Sequence, residues 1–440
     1  MGRPLPILGQ SDPGGAFSAG VIMRPGRQPI RRDADRRLTA AGVALALAFV
    51  VGSVAAIVLG RGPWMALHLL LTGGAGVAIG AVMPFFTAAL AAAPPARPVA
   101  RVSVIVALAV GALTIALAVP VAARGASLAG AGIYLLGLVG LVGVTLSPIR
   151  HALGPKRWPV LVAYLAGIAF VICGVILVTA MLHTFAPVTE RWAVLKPVHA
   201  WLNLIGFVGL TIAGTYIHLV PTVLGARIVE GRTAWVAVGG LAIGVAVVAT
   251  GFVIGSDGLA QVGALIAIVG AAAVPAYVRR AARQPSRGRW TTDPGWHAFT
   301  TWSLVISGVW FAIGVWAAAG LVILHGATPA GWSLAVVGVP LAIGTVMQAV
   351  VGAASHLVPT IGPGSGPSRA RARRLLGQGT GLRVGGFQAG VAALAIGVPL
   401  GWDVLVVAGG VLTGLAVASD VLLLAAAMTP GRADQRPVAG

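Results

Sequence analysis

The sequence predicts an all-α integral membrane protein: twelve transmembrane helices arranged as three pseudo-threefold repeats of four. Composition, the placement of cations and internal repetition carry this prediction. Of 440 residues, 58% are hydrophobic and only 9% charged, whereas soluble domains run at about 45–50% apolar and ~25% charged. A water-soluble enzyme and a disordered chain are both excluded. A bilayer span takes ~20 apolar residues, so the chain has room for a dozen. Its 63 glycines suit close helix packing in lipid, where small residues let backbones approach.

The apolar runs give the spans in order, each set off by basic residues or turns. The first, 39–60, runs from the Arg36-Arg37 pair to Arg61, and the second, 63–89, from there towards Arg97. The third, 102–122, and the fourth, 127–149, meet at Arg124 and are bracketed by Arg101 and Arg150. The fifth, 159–184, follows Arg157, and the sixth, 197–224, lies between Lys196 and Arg227. The seventh, 234–255, follows Arg232, and the eighth, 258–278, stops at Arg279-Arg280. The ninth, 298–324, and tenth, 332–360, lie between the Arg287–Arg289 and Arg369–Arg374 clusters. The eleventh, 382–400, opens beside Arg383, and the twelfth, 402–428, ends ahead of Arg432.

An even number of spans puts both termini on one side. The loops on that side hold 26 Lys and Arg against 4 on the other, the asymmetry of the positive-inside rule. Both termini are therefore expected in the cytoplasm, with the chain in the cell membrane. The net charge of +20 records topology rather than nucleic-acid binding, and the lipid bilayer is the expected partner. Residues 1–36 read as a basic cytoplasmic tail that anionic lipid can hold at the surface, and 431–440 as a second tail. The lone cysteine, Cys173, lies in the fifth span, so neither an intrachain disulfide nor a cysteine-ligated cluster is available.

Repetition divides the rest. The sixth span carries Gly206, Gly214 and His218-Leu219-Val220-Pro221, and the tenth carries Gly344, Gly352 and His356-Leu357-Val358-Pro359, each 138 residues later. Leu182-His183 and Pro187 recur 142 residues on as Leu324-His325 and Pro329. Pro84, at the end of the second span, precedes Pro221 by 137 residues. The predicted units are 37–150, 151–290 and 291–430.

Ionisable groups inside a bilayer are functional candidates by default. Asp420 is the one acid well inside a predicted span. It reads either as a proton or cation site or as a helix-packing group bonded to a neighbour. Gln261, Gln348, Gln388 and Asn203 read as interhelical hydrogen-bonding groups. His218 and His356, repeated beside prolines, are expected to satisfy proline-freed carbonyls, with a metal or heme role as the alternative. His68, His183, His199 and His325 share the less basic side. Imidazole is the commonest metal ligand and a standard axial ligand of heme iron. His68 and His199, which start within spans, are the ligand candidates; His183 and His325 are more exposed metal candidates.

The run Val198-His199-Ala200-Trp201-Leu202-Asn203 through Gly206, Gly209 and Gly214 to His218-Leu219-Val220-Pro221 resembles a helix of heme-copper oxidase subunit I. The likeness is to the cbb3-type oxidases and nitric oxide reductases. His199 falls on the first of that helix's two histidines and Trp201 on the second. His68 resembles the family's low-spin heme ligand in the second span. The layout is closest to the NnrS-type membrane proteins, heme- and copper-containing relatives linked to nitric oxide stress. The resemblance implies twelve spans in three groups of four, bound heme with copper as a further candidate, a redox partner protein, and a redox or nitric-oxide-related role. A heme-dependent oxidoreductase is the candidate activity. The family's copper site, with an adjacent histidine pair, is not matched: the chain has no His-His and no histidine in the seventh span. Two other classes fit the composition: a permease for a small solute, using Asp420 and glycine-lined helices, and a scaffold without cofactor.

Overall fold

The computed structural model describes residues 28–152, 157–183, 186–284, 293–361 and 366–429. The predicted tails lie outside these residues, except that 28–36 already belong to the helix Gln28–Val58. The described residues are helices joined by short turns, with no strand among them.

Twelve helices are long and apolar enough to cross a membrane, as expected of a multi-pass membrane protein. They are Arg37–Val58, Pro63–Ala91, Pro98–Ala118, Arg124–His151, Trp158–Leu182 and Trp192–Val223, then Arg232–Ile254, Asp257–Ala282, Pro294–His325, Pro329–Thr360, Thr380–Leu400 and Asp403–Met428. Each predicted span falls on one of them. The third, fourth, sixth and ninth begin three to five residues earlier than the hydropathy suggests, because helix continues past the apolar run into residues such as Lys196.

The spans divide into two roles. The third and fourth, seventh and eighth, and eleventh and twelfth form three closely packed helical pairs. Small residues permit it: a Cβ on Gly240 would come within 2.8 Å of Gly270 Cα, and one on Gly390 within 2.7 Å of the Thr413 amide nitrogen. All three pairs turn by the same Schellman closure, with one residue in the left-handed region. The residues are Ala122 (φ 53°), Gly255 (φ 72°) and Gly401 (φ 66°). The closing bonds run from the amides of Ala123, Ser256 and Trp402 to the carbonyls of Ala118, Gly251 and Gly397, at 3.0, 2.8 and 2.9 Å.

The second, sixth and tenth spans are the most buried. Each contains a π-helical stretch, Leu69–Ala75, Trp201–Gly209 and Val339–Met347. The first of these stretches touches the other two. Such segments are rare and are enriched at functional sites.

A proline inside a helix leaves the carbonyl four residues back without its donor. The Ile217 carbonyl, freed by Pro221, accepts from the Tyr277 hydroxyl at 2.7 Å. The Ser355 carbonyl, freed by Pro359, accepts from Trp296 Nε1 at 2.8 Å. The expectation that His218 and His356 serve this purpose is therefore corrected: longer side chains on neighbouring spans reach these carbonyls.

Asp420 is bonded to a neighbour, and the neighbour is charged. Arg383 Nε donates to its Oδ1 at 2.6 Å, and both side chains are buried. The guanidinium also donates to the carbonyls of Leu376 and Gln378 at 2.8 and 3.0 Å and lies 3.8 Å from the Phe299 ring centre. Arg383 is thus an interior residue rather than the loop cation suggested by the sequence. Arg101 is buried likewise, donating to Thr39 Oγ1 at 3.0 Å.

Candidate functional site

His68 ends the first α-helical turns of the second span, immediately before the π-helical stretch. Its Nδ1 donates to the carbonyl of Trp64, one turn back, at 2.8 Å. The Trp64 indole stacks on the imidazole with centroids 3.9 Å apart and planes 21° from parallel. The Thr72 hydroxyl donates to the His68 carbonyl, and the Tyr134 hydroxyl donates to the Thr72 carbonyl at 3.3 Å. The ring is thereby held by its own helix and by the fourth span.

His199 is held across two spans. Its Nδ1 donates to the Gly174 carbonyl of the fifth span at 3.1 Å. The Asn203 amide donates to the His199 carbonyl at 2.6 Å and stands 3.0 Å from Nδ1. This fit needs a glycine opposite, since a Cβ on Gly174 would lie 2.2 Å from Asn203 Nδ2.

Trp64 and Gly174 offer Nδ1 a carbonyl, which only accepts. Nδ1 therefore carries the proton in His68 and its Nε2 lone pair is free, whereas the Nδ1 of His199 faces both the Gly174 carbonyl and the Asn203 side-chain nitrogen. A carbonyl held against the far ring nitrogen in this way orients metal-ligating histidines. The two imidazoles, expected together from the sequence, are close enough to interact electrostatically. Trp201, at the position of the resembling helix's second histidine, is fully buried, and its Nε1 finds no partner among the described residues.

The remaining histidines are not drawn into this pair. His183 Nε2 lies 3.2 Å from Ser127 Oγ, and His325 is exposed at the end of the ninth span. Among the described residues, no group of three or more His, Cys, Asp or Glu side chains is placed to hold a metal ion. His356 stacks on Trp296 with planes 6° apart, and the Phe86 ring meets His218 edge-on at 4.4 Å.

A cavity of about 750 Å³, open mouth included, lies between the first, second, sixth, ninth and tenth spans. Its walls are aliphatic and aromatic apart from Thr211, Thr215 and Tyr216.

Sequence reasoning missed the carbonyl of Gly174 and the side chains of Trp64 and Thr72. Trp64, Thr72 and Asn203 each lie four residues from a histidine, so helical spacing could have found them. Gly174 lies on another span and left no such signal.

No family model matches the chain, and no curated protein matches it. Among solved structures, the cryo-EM structure of a heme-copper terminal oxidase dimer is similar, with a TM-score of 0.63 over 91% of this chain and 85% of that one. The fold is heme-copper-oxidase-like. Sequence identity is 14%, so the likeness is one of fold.

Proposed function

We propose that the chain is a heme-binding membrane protein with a redox or nitric-oxide-related role, and that His68 and His199 are its iron ligands. The observation that carries this reading is the shared setting of the two imidazoles: each has its Nδ1 against a backbone carbonyl, with the Nε2 edge left over for a ligand. Two imidazole nitrogens are a donor set that would fit heme iron. When bound, heme supplies one-electron chemistry and an affinity for diatomic gases. The chain's own residues orient the ligands: the Trp64 and Gly174 carbonyls and the Asn203 side chain hold the rings at Nδ1, and Asn203 and Thr72 hold the histidine backbones. A three-histidine copper centre does not fit the described residues, and no step is assigned to copper.

The same reading includes three repeats of four spans. It is supported by the π-helical stretches in the second, sixth and tenth spans and by the common turn of the three tightly packed pairs. It also places both termini in the cytoplasm and the outer-side histidines within reach of a redox partner protein; the NnrS-type layout belongs to it. The permease alternative is weakened, since its coupling residue Asp420 is neutralised by Arg383.

The test is the visible spectrum of protein purified after expression with ample heme. A Soret band is expected. His68→Ala and His199→Ala each lower heme per chain while helical content and elution volume stay unchanged. A wild-type protein without a Soret band would end the heme reading.

A further inference from the structure

We propose that the central cavity and His218 form a binding site for one uncharged, largely hydrocarbon molecule that carries a hydroxyl head group. The site is separate from the heme reading: His218 follows His199 by 19 residues, on the order of 28 Å along a helix at ~1.5 Å per residue.

The walls settle the class of occupant. Val43, Ala46, Ile79, Met83, Ala353 and Leu357 are typical of them, and no charged side chain lines the space among the described residues. An ion would enter without compensation, which low-dielectric surroundings make costly. Two of the three wall hydroxyls are already engaged: Thr215 with Tyr164 at 3.0 Å, and Tyr216 with Ser307. Cavities of this character stay dry and take apolar molecules.

His218, beside the lining residue Leu219, supplies a polar anchor at the edge of the cavity, and Thr211 on the wall carries the one lining hydroxyl without a partner among the described residues. His218 lies seven residues beyond Thr211 and three beyond Thr215, so it shares their face of the sixth span. The side chain is only 5% exposed. Neither ring nitrogen completes a hydrogen bond among the described residues; the polar group beside it is the Gly214 carbonyl of its own helix. A buried polar group left in this state calls for a ligand or some other explanation. A neutral imidazole always keeps one nitrogen lone pair, which accepts an O–H donor. Phe86 both lines the cavity and packs edge-on against the imidazole. It is therefore the partition that an entering head group displaces.

The experiment measures saturable binding to the full chain in lipid nanodiscs, with empty nanodiscs subtracted. The probes are 4-hexylphenol, its methyl ether 4-hexylanisole, which lacks the O–H, and hexylbenzene. One phenol per chain is expected, bound at least tenfold more tightly than either analogue. His218→Leu and His218→Phe bring the three probes within twofold of one another. Ala353→Phe, which fills the cavity, abolishes binding of all three, and Phe86→Ala strengthens the phenol only while His218 is present. The proposal is overturned if wild type shows no saturable binding, if phenol and anisole bind it equally, or if the phenol preference survives loss of the imidazole. The wild-type comparison decides the matter even if both His218 variants fail to fold. Heme per chain is unchanged in His218→Leu; loss of heme there would reassign the imidazole to iron and overturn the proposal.

Discussion

Gly174 links backbone geometry to the proposed site in a single atom. Adding a methyl group there puts it against Asn203 at 2.2 Å, and Asn203 and the Gly174 carbonyl both hold His199. Overpacking of this kind costs about 1–3 kcal/mol. Gly174→Ala is therefore expected to lower heme content more than thermal stability, measured by Soret absorbance per chain beside a melting curve in the same detergent. The Arg383–Asp420 pair makes the opposite case, in which stability alone responds. Removing one partner from a buried pair costs about 3–5 kcal/mol, while replacing both with apolar groups is often neutral. Arg383→Met and Asp420→Leu should each lower the melting temperature sharply, and the double variant should recover most of the loss. If the single variants melt like wild type, the pair is not formed. The sequence showed Asp420 as an isolated acid because its partner, 37 residues away, stands at the edge of an arginine-rich loop and reads as part of it. His68 and His199 stand out as candidates in the sequence because imidazoles in apolar runs are few. Their carbonyl partners do not, because every residue has a carbonyl.

At the scale of elements, apolar runs show where helices lie but not their winding. The π-helical stretches Leu69–Ala75 and Trp201–Gly209 share no residue pattern that sets them apart from the α-helix around them. The turns are more telling. Gly255 and Gly401 occupy the left-handed position of the Schellman closure with no side-chain penalty, but the matching position between the third and fourth spans is Ala122, at φ 53°. Alanine there hides the turn in the sequence, because the glycine that would mark it is missing. It also leaves strain, since the left-handed region costs a non-glycine residue roughly 1–2 kcal/mol. Ala122→Gly removes that strain against a smaller entropic loss in the unfolded chain. It should raise stability by up to about 1 kcal/mol, and Gly255→Ala should lower it. Thermal unfolding of the two variants checks both signs, and opposite shifts are the expected result.

For the whole molecule, the count and order of spans were legible because both follow from composition, which the bilayer constrains strongly. Which spans sit at the centre was not, since the mean hydropathies of the three most buried spans, 1.6 to 2.1, fall within the 1.4 to 2.8 range of the others. Orientation rests on the 26 to 4 asymmetry of Lys and Arg between the two sets of loops. Two of the 26, Arg101 and Arg383, are buried with partners, yet the remaining 24 still outweigh the other side sixfold. Cations near span ends set orientation when they are counted over short loops, and these loops are short. The expected result is that single cysteines introduced at Arg283 and Arg374 react with a membrane-impermeant maleimide only after the cells are opened. A cysteine at Arg124 should react in intact cells. Cys173 is exposed on the fifth span, so it is first replaced by alanine. Labelling of position 283 in intact cells would invert the molecule. His68 and His199 would then face the cytoplasm, and any redox partner would have to be sought there.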